Sequence, residues 1–227
     1  MIPEKAPQIP NLDIAATYIP CFDVGGDLYD FIQIGQDRIA VAIADVIGKG
    51  IPAAIMMSMF RGAVRAYAET GCGPEAIHEI INKLNKTACA DCRDGEFVSL
   101  FYAIINVEDK TLTYCNCGHE PTTLIREEAI TNLEKGGLVL GVKRDAQYEI
   151  ETINLKVGDC LLFYTDGLID AANFDGQLWG RERMLNAAKK FSTASAEQMV
   201  KNILADRRRF VGLARQTDDT SIIVAKV

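Results

Sequence analysis

The sequence predicts a single layered α+β domain whose sheets are mixed or antiparallel. Runs of strand-like segments are separated by pairs of helix-like segments, and hairpin-like turns join neighbouring strands. Hydrophobic residues make up 48% of the 227 residues, which is enough for a sizeable core. No repeat, low-complexity segment or flexible linker divides the chain. We therefore expect one domain over 12–227, preceded by a proline-bearing lead-in at 1–11.

Alternating apolar and polar residues predict the strands, and turn-forming residues mark their ends. Pro52 suits the first turn of a helix, where its missing N–H leaves no hydrogen bond unmade. The predicted strands lie near Leu12–Ile19, Asp27–Ile34, Arg38–Ala44, Phe97–Val107, Thr111–Cys117, Thr122–Arg126, Tyr148–Leu155, Cys160–Thr165 and Ser221–Lys226. The predicted helices lie near 51–70, Pro74–Ala88, Arg181–Lys190 and Ala196–Val211.

The predicted helix at 51–70 is amphipathic. A flank near Ala53, Met57 and Gly62 is small or apolar, and it fits either core packing or a docking face. The predicted core stripe consists of Met56, Phe60, Ala63 and Tyr67. The predicted polar face consists of Ser58, Arg61, Arg65 and Glu69.

Four aspartates fall where predicted strands end, beside glycine turns. Carboxylates in such positions can converge in space, and because they repel one another they need cations. Hard oxygen ligands in a chain with two histidines favour magnesium or manganese over zinc or copper. The pattern therefore indicates a metal-assisted reaction on a phosphate. The four are Asp27 in Val-Gly-Gly-Asp-Leu-Tyr-Asp, Asp45 in Ala-Ile-Ala-Asp-Val-Ile-Gly-Lys-Gly, Asp166 in Phe-Tyr-Thr-Asp-Gly and Asp218 in Thr-Asp-Asp-Thr-Ser.

Charge and hydropathy exclude several classes of function. The net charge of −7 argues against a nucleic-acid partner. The densest basic runs, at 189–190 and 207–209, fall in predicted helices and are interpreted as solvated faces. No apolar run approaches the ~18–20 residues of a membrane span, and the first residues do not form a secretory signal. A soluble cytoplasmic protein with no membrane segment is expected.

Seven cysteines, an odd number scattered through the chain, suit a reducing compartment. Cys89 and Cys92, together with Cys115 and Cys117, could in principle supply four thiolates for structural zinc. A C-x-C pair is a less usual zinc half-site than C-x-x-C. We therefore favour free thiols at these positions.

The segment Gly48-Lys-Gly-Ile-Pro-Ala53 fits a dinucleotide-binding fingerprint, because it follows a predicted strand and opens a helix. A Rossmann unit should return to a parallel strand within about 30 residues, whereas here a second helix follows first. A phosphate P-loop also fails, because Gly50 stands where Ser or Thr is required. A dinucleotide-dependent oxidoreductase is therefore the weaker hypothesis.

Six short motifs occur in order along the chain, and together they resemble those of the SpoIIE-type bacterial serine/threonine phosphatases, within the metal-dependent protein phosphatase 2C (PPM) superfamily. The resemblance runs from about residue 12 to the C-terminus. It implies a four-layer α/β/β/α sandwich of two antiparallel sheets flanked by helix pairs. The motifs are Val24-Gly-Gly-Asp-Leu-Tyr-Asp30, Ala44-Asp-Val-Ile-Gly-Lys-Gly-Ile-Pro-Ala-Ala54, Gly118-His-Glu-Pro121, Leu140-Gly-Val142, Tyr164-Thr-Asp-Gly-Leu168 and Thr217-Asp-Asp-Thr-Ser221.

The same resemblance implies the ligands of two Mn²⁺ or Mg²⁺ ions. Asp45 would bridge both ions, and Asp219 is the less favoured member of its pair. Cations ~3.5–4 Å apart would activate a bridging water for in-line attack on a phosphoserine or phosphothreonine. The implied ligands are the carbonyl of Val46 and the side chains of Asp27, Asp45, Asp166 and Asp218.

The chain departs from the animal 2C-type enzymes at one position. They carry a histidine two residues after the bridging aspartate, and here that position is Ile47. Bulk or metal-bound water is therefore expected to protonate the leaving oxygen. His119 is predicted to hold a turn, His78 to lie on a helix surface, and Asp30 to have a structural hydrogen-bonding role rather than to bind metal.

Three functional hypotheses remain from the sequence: a phosphoprotein phosphatase, a catalytically silent binding module of the same fold, and the oxidoreductase. The presence of all four expected aspartates favours the first. The resemblance implies a phosphorylated regulator of the anti-anti-sigma type as substrate. It also implies an upstream sensory or receiver domain, and allows a homodimer.

Overall fold

Two β-sheets pack face to face, and a helix pair covers the outer face of each. The computed structural model describes residues 2–70, 73–93 and 95–227. One buried apolar cluster lies between the sheets, and two others lie between a sheet and its helices. The predicted four-layer α/β/β/α sandwich is confirmed.

The first sheet has five strands, all antiparallel to their neighbours. In spatial order they are β1 (Asp13–Ile19), β11 (Thr220–Lys226), β10 (Cys160–Tyr164), β6 (Thr122–Arg126) and β7 (Ala129–Leu133).

The second sheet is antiparallel except for one short parallel pairing at its edge. In spatial order its strands are β2 (Asp27–Ile34), β3 (Arg38–Val46), β4 (Val98–Asn106), β5 (Thr111–Cys117) and β8 (Gly136–Gly137), and β9 (Glu151–Asn154) also pairs with β5.

The helices belong to both outer layers. A short 3₁₀ turn, Pro74–Ala76, leads into the second of them. The α-helices of the described residues are α1 (Ile51–Thr70), α2 (Ile77–Asp91), α3 (Asp166–Ile169), α4 (Gly180–Lys190) and α5 (Ala196–Val211). Among the described residues, no helix is long and apolar enough to cross a membrane.

Strand β3 shows how the sequence divides the core into layers. Successive side chains of a strand point to opposite faces. The larger residues at 39, 41 and 43 enter the core between the sheets. The alanines at 40, 42 and 44 face the cluster under α1 and α2. Small side chains on that face let the helices approach the sheet closely.

Helix α1 has the predicted bounds, but it is rotated relative to the predicted stripe. Phe60 is buried as expected, whereas Met56, Ala63 and Tyr67 are only partly buried. Gly62 is exposed. The fully buried stripe consists of Ala53, Met57, Phe60, Val64 and Ala68, so the flank near Ala53 and Met57 is core.

Most other predicted elements agree with the structure to within one to three residues. The exceptions are local. The predicted strand Tyr148–Leu155 pairs only over Glu151–Asn154, and the predicted helix Pro74–Ala88 begins as a 3₁₀ turn and continues to Asp91. Three elements were not predicted: β7, β8 and α3.

The Gly-Lys-Gly turn does not open a Rossmann unit. After β3 the chain forms α1 and α2 and returns as β4, which pairs with β3 in the antiparallel direction. A dinucleotide fold requires a parallel return strand. The architecture therefore contradicts the oxidoreductase hypothesis.

Candidate metal centre

Two of the predicted site aspartates lie opposite each other on neighbouring strands. Asp27 is the first residue of β2, Asp45 is the second-last residue of β3, and the two are directly paired in the antiparallel register. Directly paired residues share one face of a sheet, with their Cβ atoms about 5 Å apart. The hairpin β2–β3 therefore brings these carboxylates together.

The other two aspartates come from the opposite sheet. Asp166 is the first residue of α3, which begins two residues after the end of β10, and Asp218 lies in the loop that enters β11. Strands β10 and β11 are neighbours, so both turns lie at the same end of the sheet. Asp45, Asp166 and Asp218 line one cleft of about 370 Å³ between the two sheets.

Asp27 is buried behind this cleft. Its Oδ2 accepts hydrogen bonds from Thr165 Oγ1 at 2.7 Å and from Ser221 Oγ at 2.9 Å. Burial, followed by the charge of Asp45, holds the pKa of Asp27 well above its usual range. Two hydroxyl groups from the side of the first sheet thus fix a carboxylate of the second.

Val46 follows Asp45 and is also buried. Its carbonyl oxygen lies so close to Gly26 that a Cβ built there would be 2.7 Å from it. The backbone at this position is therefore tightly enclosed. Its predicted role as a ligand stays a proposal.

Asp45 is a partly buried carboxylate of the cleft. Burial and then the charges of Asp166 and Asp218 raise its pKa to about 7. Burial and the charge of Asp218 also raise the pKa of Asp166. Mutual repulsion of this kind is relieved by a bound cation.

The raised pKa of Asp45 predicts how the stability of the metal-free protein depends on pH. The pKa is about 7 in the folded protein, against an ordinary 3.8, so the folded state retains this proton at higher pH. The resulting contribution to the free energy of unfolding is favourable at low pH and is lost as pH rises from about 4 to about 7. Raised pKa values for Asp27 and Asp166 act in the same direction.

Urea denaturation in chelator should therefore show Asp45→Asn to be more stable than the natural sequence at pH 8, by on the order of 1–3 kcal/mol. The difference should shrink at pH 5, where Asp45 is protonated in the folded protein. A constant difference between the two pH values would contradict the coupling.

Asp219 has a different environment from Asp218. Its Oδ1 accepts the backbone N–H of Cys21 at 2.8 Å, and its Oδ2 accepts that of Gly26 at 2.7 Å. Gly25 packs against the same carboxylate, since a Cβ there would lie 1.8 Å from Oδ2. Asp219 therefore holds the loop that precedes Asp27, while Asp218 lines the cleft. This arrangement favours Asp218 as the ligand.

Lys49 is the only lysine or arginine among the described residues that line the cleft. Its Nζ lies 2.6 Å from Asp218 Oδ2, and it also donates to the carbonyl of Thr217. Both groups of this pair are more than a third exposed, so the pair adds little stability. Lys49 sits in the Gly-Lys-Gly motif, but sequence analysis assigned it no role in the site.

Ser99 and His119 are hydrogen-bonded neighbours in the cleft, a pairing that the sequence did not predict. Ser99 pairs with Asp45 across β3 and β4, and its Oγ bonds to His119 Nδ1 at 2.8 Å. The side chain of Asn116 bonds to both the N–H and the carbonyl of His119, as expected for a residue that holds a turn. No local signal in the sequence places Ser99 beside Asp45, because the register between β3 and β4 sets that pairing.

Three residues that line the cleft, two of them ionisable, bear on its proton chemistry. Burial lowers the pKa of His119 to about 4, so its imidazole is neutral at physiological pH. Ile47 lines the cleft and is partly exposed. Glu120 also lines the cleft, and burial raises its pKa despite the nearby Arg181.

Asp30 lies away from the cleft, fully buried. Arg65 Nη1 bonds to both of its carboxylate oxygens at 2.9 Å, and Arg61 Nε lies 3.0 Å from Oδ2. The structural role predicted for Asp30 agrees with these contacts. Arg61 and Arg65 belong to the face of α1 predicted to be polar, and here they join that helix to β2.

The four cysteines considered for zinc lie near the end of α2 and on β5. Cys115 and Cys117 are buried with their Sγ atoms 3.8 Å apart, while Cys89 and Cys92 are partly buried. Burial holds the pKa of Cys117 well above its usual range, which favours the thiol over the metal-binding thiolate. The absence of zinc stays a prediction, which elemental analysis of protein purified without added metal would check.

The donor set of the cleft fits a hard divalent cation. No three of the described aspartate, glutamate, histidine or cysteine side chains are grouped closely enough to enclose one ion. The aspartates are therefore neighbours rather than a completed coordination shell. Their oxygens, with the backbone carbonyl at 46, are the ligands that magnesium and manganese prefer.

Residues 35–227 match the family described as Stage II sporulation protein E (SpoIIE). The chain belongs to the SpoIIE family. It is also similar to the phosphoserine phosphatase RsbU of Bacillus subtilis (strain 168), with 34% identity over 224 residues. This match covers 98% of the chain and 65% of RsbU, so the chain spans just under two thirds of that relative.

Solved structures show the same fold. The SiaA-PP2C domain of Pseudomonas aeruginosa superposes with a TM-score of 0.84 at 19% identity, over 95% of this chain and 86% of that one. RsbX in complex with magnesium superposes with a TM-score of 0.71 at 17% identity, over 97% of each chain. These superpositions show that this SpoIIE-type domain has a PP2C-like fold.

Proposed function

We propose that this SpoIIE-type domain hydrolyses phosphoserine or phosphothreonine on a protein, with two Mn²⁺ or Mg²⁺ ions. The observation that carries the proposal is the cleft in which burial and the charges of Asp166 and Asp218 raise the pKa of Asp45. Such a cluster is costly unless a cation neutralises it. The similarity to RsbU, named a phosphoserine phosphatase, and to a magnesium complex of RsbX supports the same chemistry.

The aspartates and one backbone carbonyl would hold the cations from two sides. Asp45, Asp166 and Asp218 would hold the cations from the cleft, and Asp27 and the carbonyl of Val46 would hold them from the protein side. When bound, a pair of divalent cations supplies activation of water and neutralisation of phosphoryl charge. Thr165 and Ser221 would keep Asp27 in place through their hydroxyl groups.

Solvent is the proposed source of the proton for the leaving serine or threonine oxygen. Ile47 has no ionisable proton, and a neutral His119 with a pKa of about 4 is a poor acid at pH 7. Lys49 lies on the rim and can screen the charge of an incoming phosphate. No side chain is therefore assigned the role of general acid.

The proposal is tested with a chromogenic phosphate monoester and a phosphoserine peptide. Turnover should need added Mn²⁺ or Mg²⁺, fall to background in excess chelator and return when metal is restored, because oxygen ligands bind these ions reversibly. It should also fall at low pH as protons compete for the carboxylates. Undiminished turnover in chelator would overturn the proposal.

A catalytically silent module would give a different result in the same experiment. It would bind Mn²⁺, as measured by calorimetry, without hydrolysing either substrate. Metal binding and turnover are therefore measured on the same preparation.

The partners are also part of the proposal. The family resemblance supports a phosphorylated anti-anti-sigma-type regulator as the substrate. The six cysteines of the described part of the chain are free thiols, which supports a cytoplasmic location. Comparing the phosphoproteins of cells with and without this protein would identify the substrate.

An upstream sensory or receiver domain, or a homodimer, is proposed to control α1. Ile51, Ile55 and Met59 form an apolar stripe on the outer face of this helix, with exposed fractions of 69%, 58% and 54%. Helix α1 begins five residues after Val46, so its movement would reach the ligand loop. Equal manganese affinity and turnover in this chain and in a longer protein would remove such control.

A further inference from the structure

Arg207 differs from the two arginines that follow it. Arg208 and Arg209 are exposed, as predicted for a solvated face, but Arg207 is buried. It lies four residues after Ile203 and four before Val211, both of which are core residues of α5. A charged residue thus occupies a position on the apolar stripe of the helix, and the prediction of a solvated face is wrong for Arg207.

The guanidinium group of Arg207 bonds to two turns of the candidate site. Its Nη2 donates to the carbonyl of Gly167 at 3.0 Å and to Thr220 Oγ1 at 3.2 Å. Thr220 Oγ1 in turn donates to the same Gly167 carbonyl at 3.2 Å. The three groups form a closed set of hydrogen bonds beneath the cleft.

These acceptors adjoin two of the proposed metal ligands. Gly167 directly follows Asp166, and Thr220 comes two residues after Asp218. The two turns also touch, since a Cβ built on Gly167 would lie 3.1 Å from the Cβ of Asp218. One side chain from α5 therefore fixes the turns that carry two carboxylates from separate strands.

Stability alone does not account for this arginine. Within the part of the chain that the structure describes, Arg207 forms no ion pair, and its Nε has no hydrogen-bond partner. Burying a cation without a counter-ion costs several kcal/mol, and an apolar residue of similar size would pack here at lower cost. The directed hydrogen bonds are what an apolar side chain cannot supply.

We propose that Arg207 is a positioning residue, which sets the separation of Asp166 and Asp218 by holding Gly167 and Thr220 with one guanidinium group. Its effect on metal binding rests on the proposed function, whereas its effect on the two turns does not. Mutation of a residue that orients metal ligands typically lowers metal affinity or activity by about 10–100-fold.

The test compares Arg207→Met with Arg208→Met, its exposed neighbour on the same helix. Hydrogen exchange of metal-free protein reports on the turn itself, through the amides of Leu168 and Asp170, which bond to Thr165 and Asp166. We expect these amides to exchange at least about tenfold faster in Arg207→Met, with strand β4 unchanged, and at the natural rate in Arg208→Met.

Manganese titration calorimetry and kinetics then report on the site. Arg207→Met should bind Mn²⁺ about 10–100-fold more weakly and lose kcat by a similar factor, with KM for a phosphate monoester within about twofold. Arg207→Lys keeps the charge but has a single donor nitrogen. Its manganese affinity and kcat should lie between those of the natural sequence and those of Arg207→Met. A thermal midpoint at or above that of the natural sequence would separate positioning from simple destabilisation.

A folded Arg207→Met with natural exchange rates at Leu168 and Asp170 overturns the inference, whatever the metal does. If Arg207→Met has both unchanged exchange rates and natural manganese affinity, two independent measurements overturn the inference. If the natural sequence binds no manganese, the proposed function fails and the exchange result still decides the role of Arg207. Should Arg207→Met not fold, the pair Thr220→Val and Thr220→Ser decides it, because only Val removes the hydroxyl; equal exchange in both overturns the inference.

Discussion

Asp45→Asn is expected to reduce metal-dependent turnover by roughly a thousandfold or more, equivalent to about 4 kcal/mol of transition-state stabilisation. An amide is a weaker ligand than a carboxylate, and Asp45 is the group on which the charges of Asp166 and Asp218 converge. The loss should appear in kcat and in manganese affinity. Steady-state kinetics and calorimetry on the same variant measure both, and Asp166→Asn should follow closely.

Asp23→Asn is the matched control, because Asp23 is an exposed carboxylate on the loop that precedes Asp27. It should leave turnover and metal affinity unchanged. Asp219→Asn should differ from both, since its new amide group would face a backbone N–H and loosen the loop. Near-full activity in Asp45→Asn, with loss confined to Asp219→Asn, would contradict the ligand assignment.

The pairing of Asp27 with Asp45 shows which part of the site can be predicted from the sequence. Strand alternation and glycine turns place both residues at strand ends, and a hairpin between them brings the ends together. The same reasoning does not find Ser99 or Glu120 in the cleft. Their positions depend on the register of β4 and on the turn after β5, which local pattern leaves open.

Helix α1 illustrates a second limit. Its bounds follow from Pro52 and the periodicity, but apolar residues flank the true stripe on both sides, so several rotations bury similar area. Met56 and Met57 are adjacent and equally apolar, yet only Met57 is fully buried. Contact with the alanine face of β3 selects the rotation, and that contact is not local in sequence.

Charge patterns fail for a related reason. Arg207, Arg208 and Arg209 have identical local chemistry, and the spacing of Ile203 and Val211 alone marks Arg207 as inward-facing. Sequence reasoning assumes that a charged residue is solvated, which holds for most residues. Such exceptions concentrate where buried polar groups hold a functional site.

Gly167→Ala is expected to combine a large loss of stability with a large loss of activity. A Cβ built at Gly167 lies 1.8 Å from the carbonyl oxygen of Asp219, a distance that no real contact tolerates. The obstacle is backbone at the entry to β11, so the turn that carries Asp166 must move instead. Such overpacking costs on the order of 3 kcal/mol. A displacement of about 1 Å at a reacting centre costs about a hundredfold in rate.

Gly62→Ala provides the control for the substitution itself. Gly62 is exposed within α1, and a Cβ there meets no atom within 4 Å. Alanine should therefore stabilise the helix by about 0.5–1 kcal/mol without changing turnover. Urea denaturation and metal-dependent hydrolysis, measured on both variants, separate the effect of a clash from that of an added methyl group. If Gly167→Ala had natural stability and turnover, the turns that carry Asp166 and Asp218 would not be packed against each other. The claim that these two carboxylates are positioned together would then be wrong.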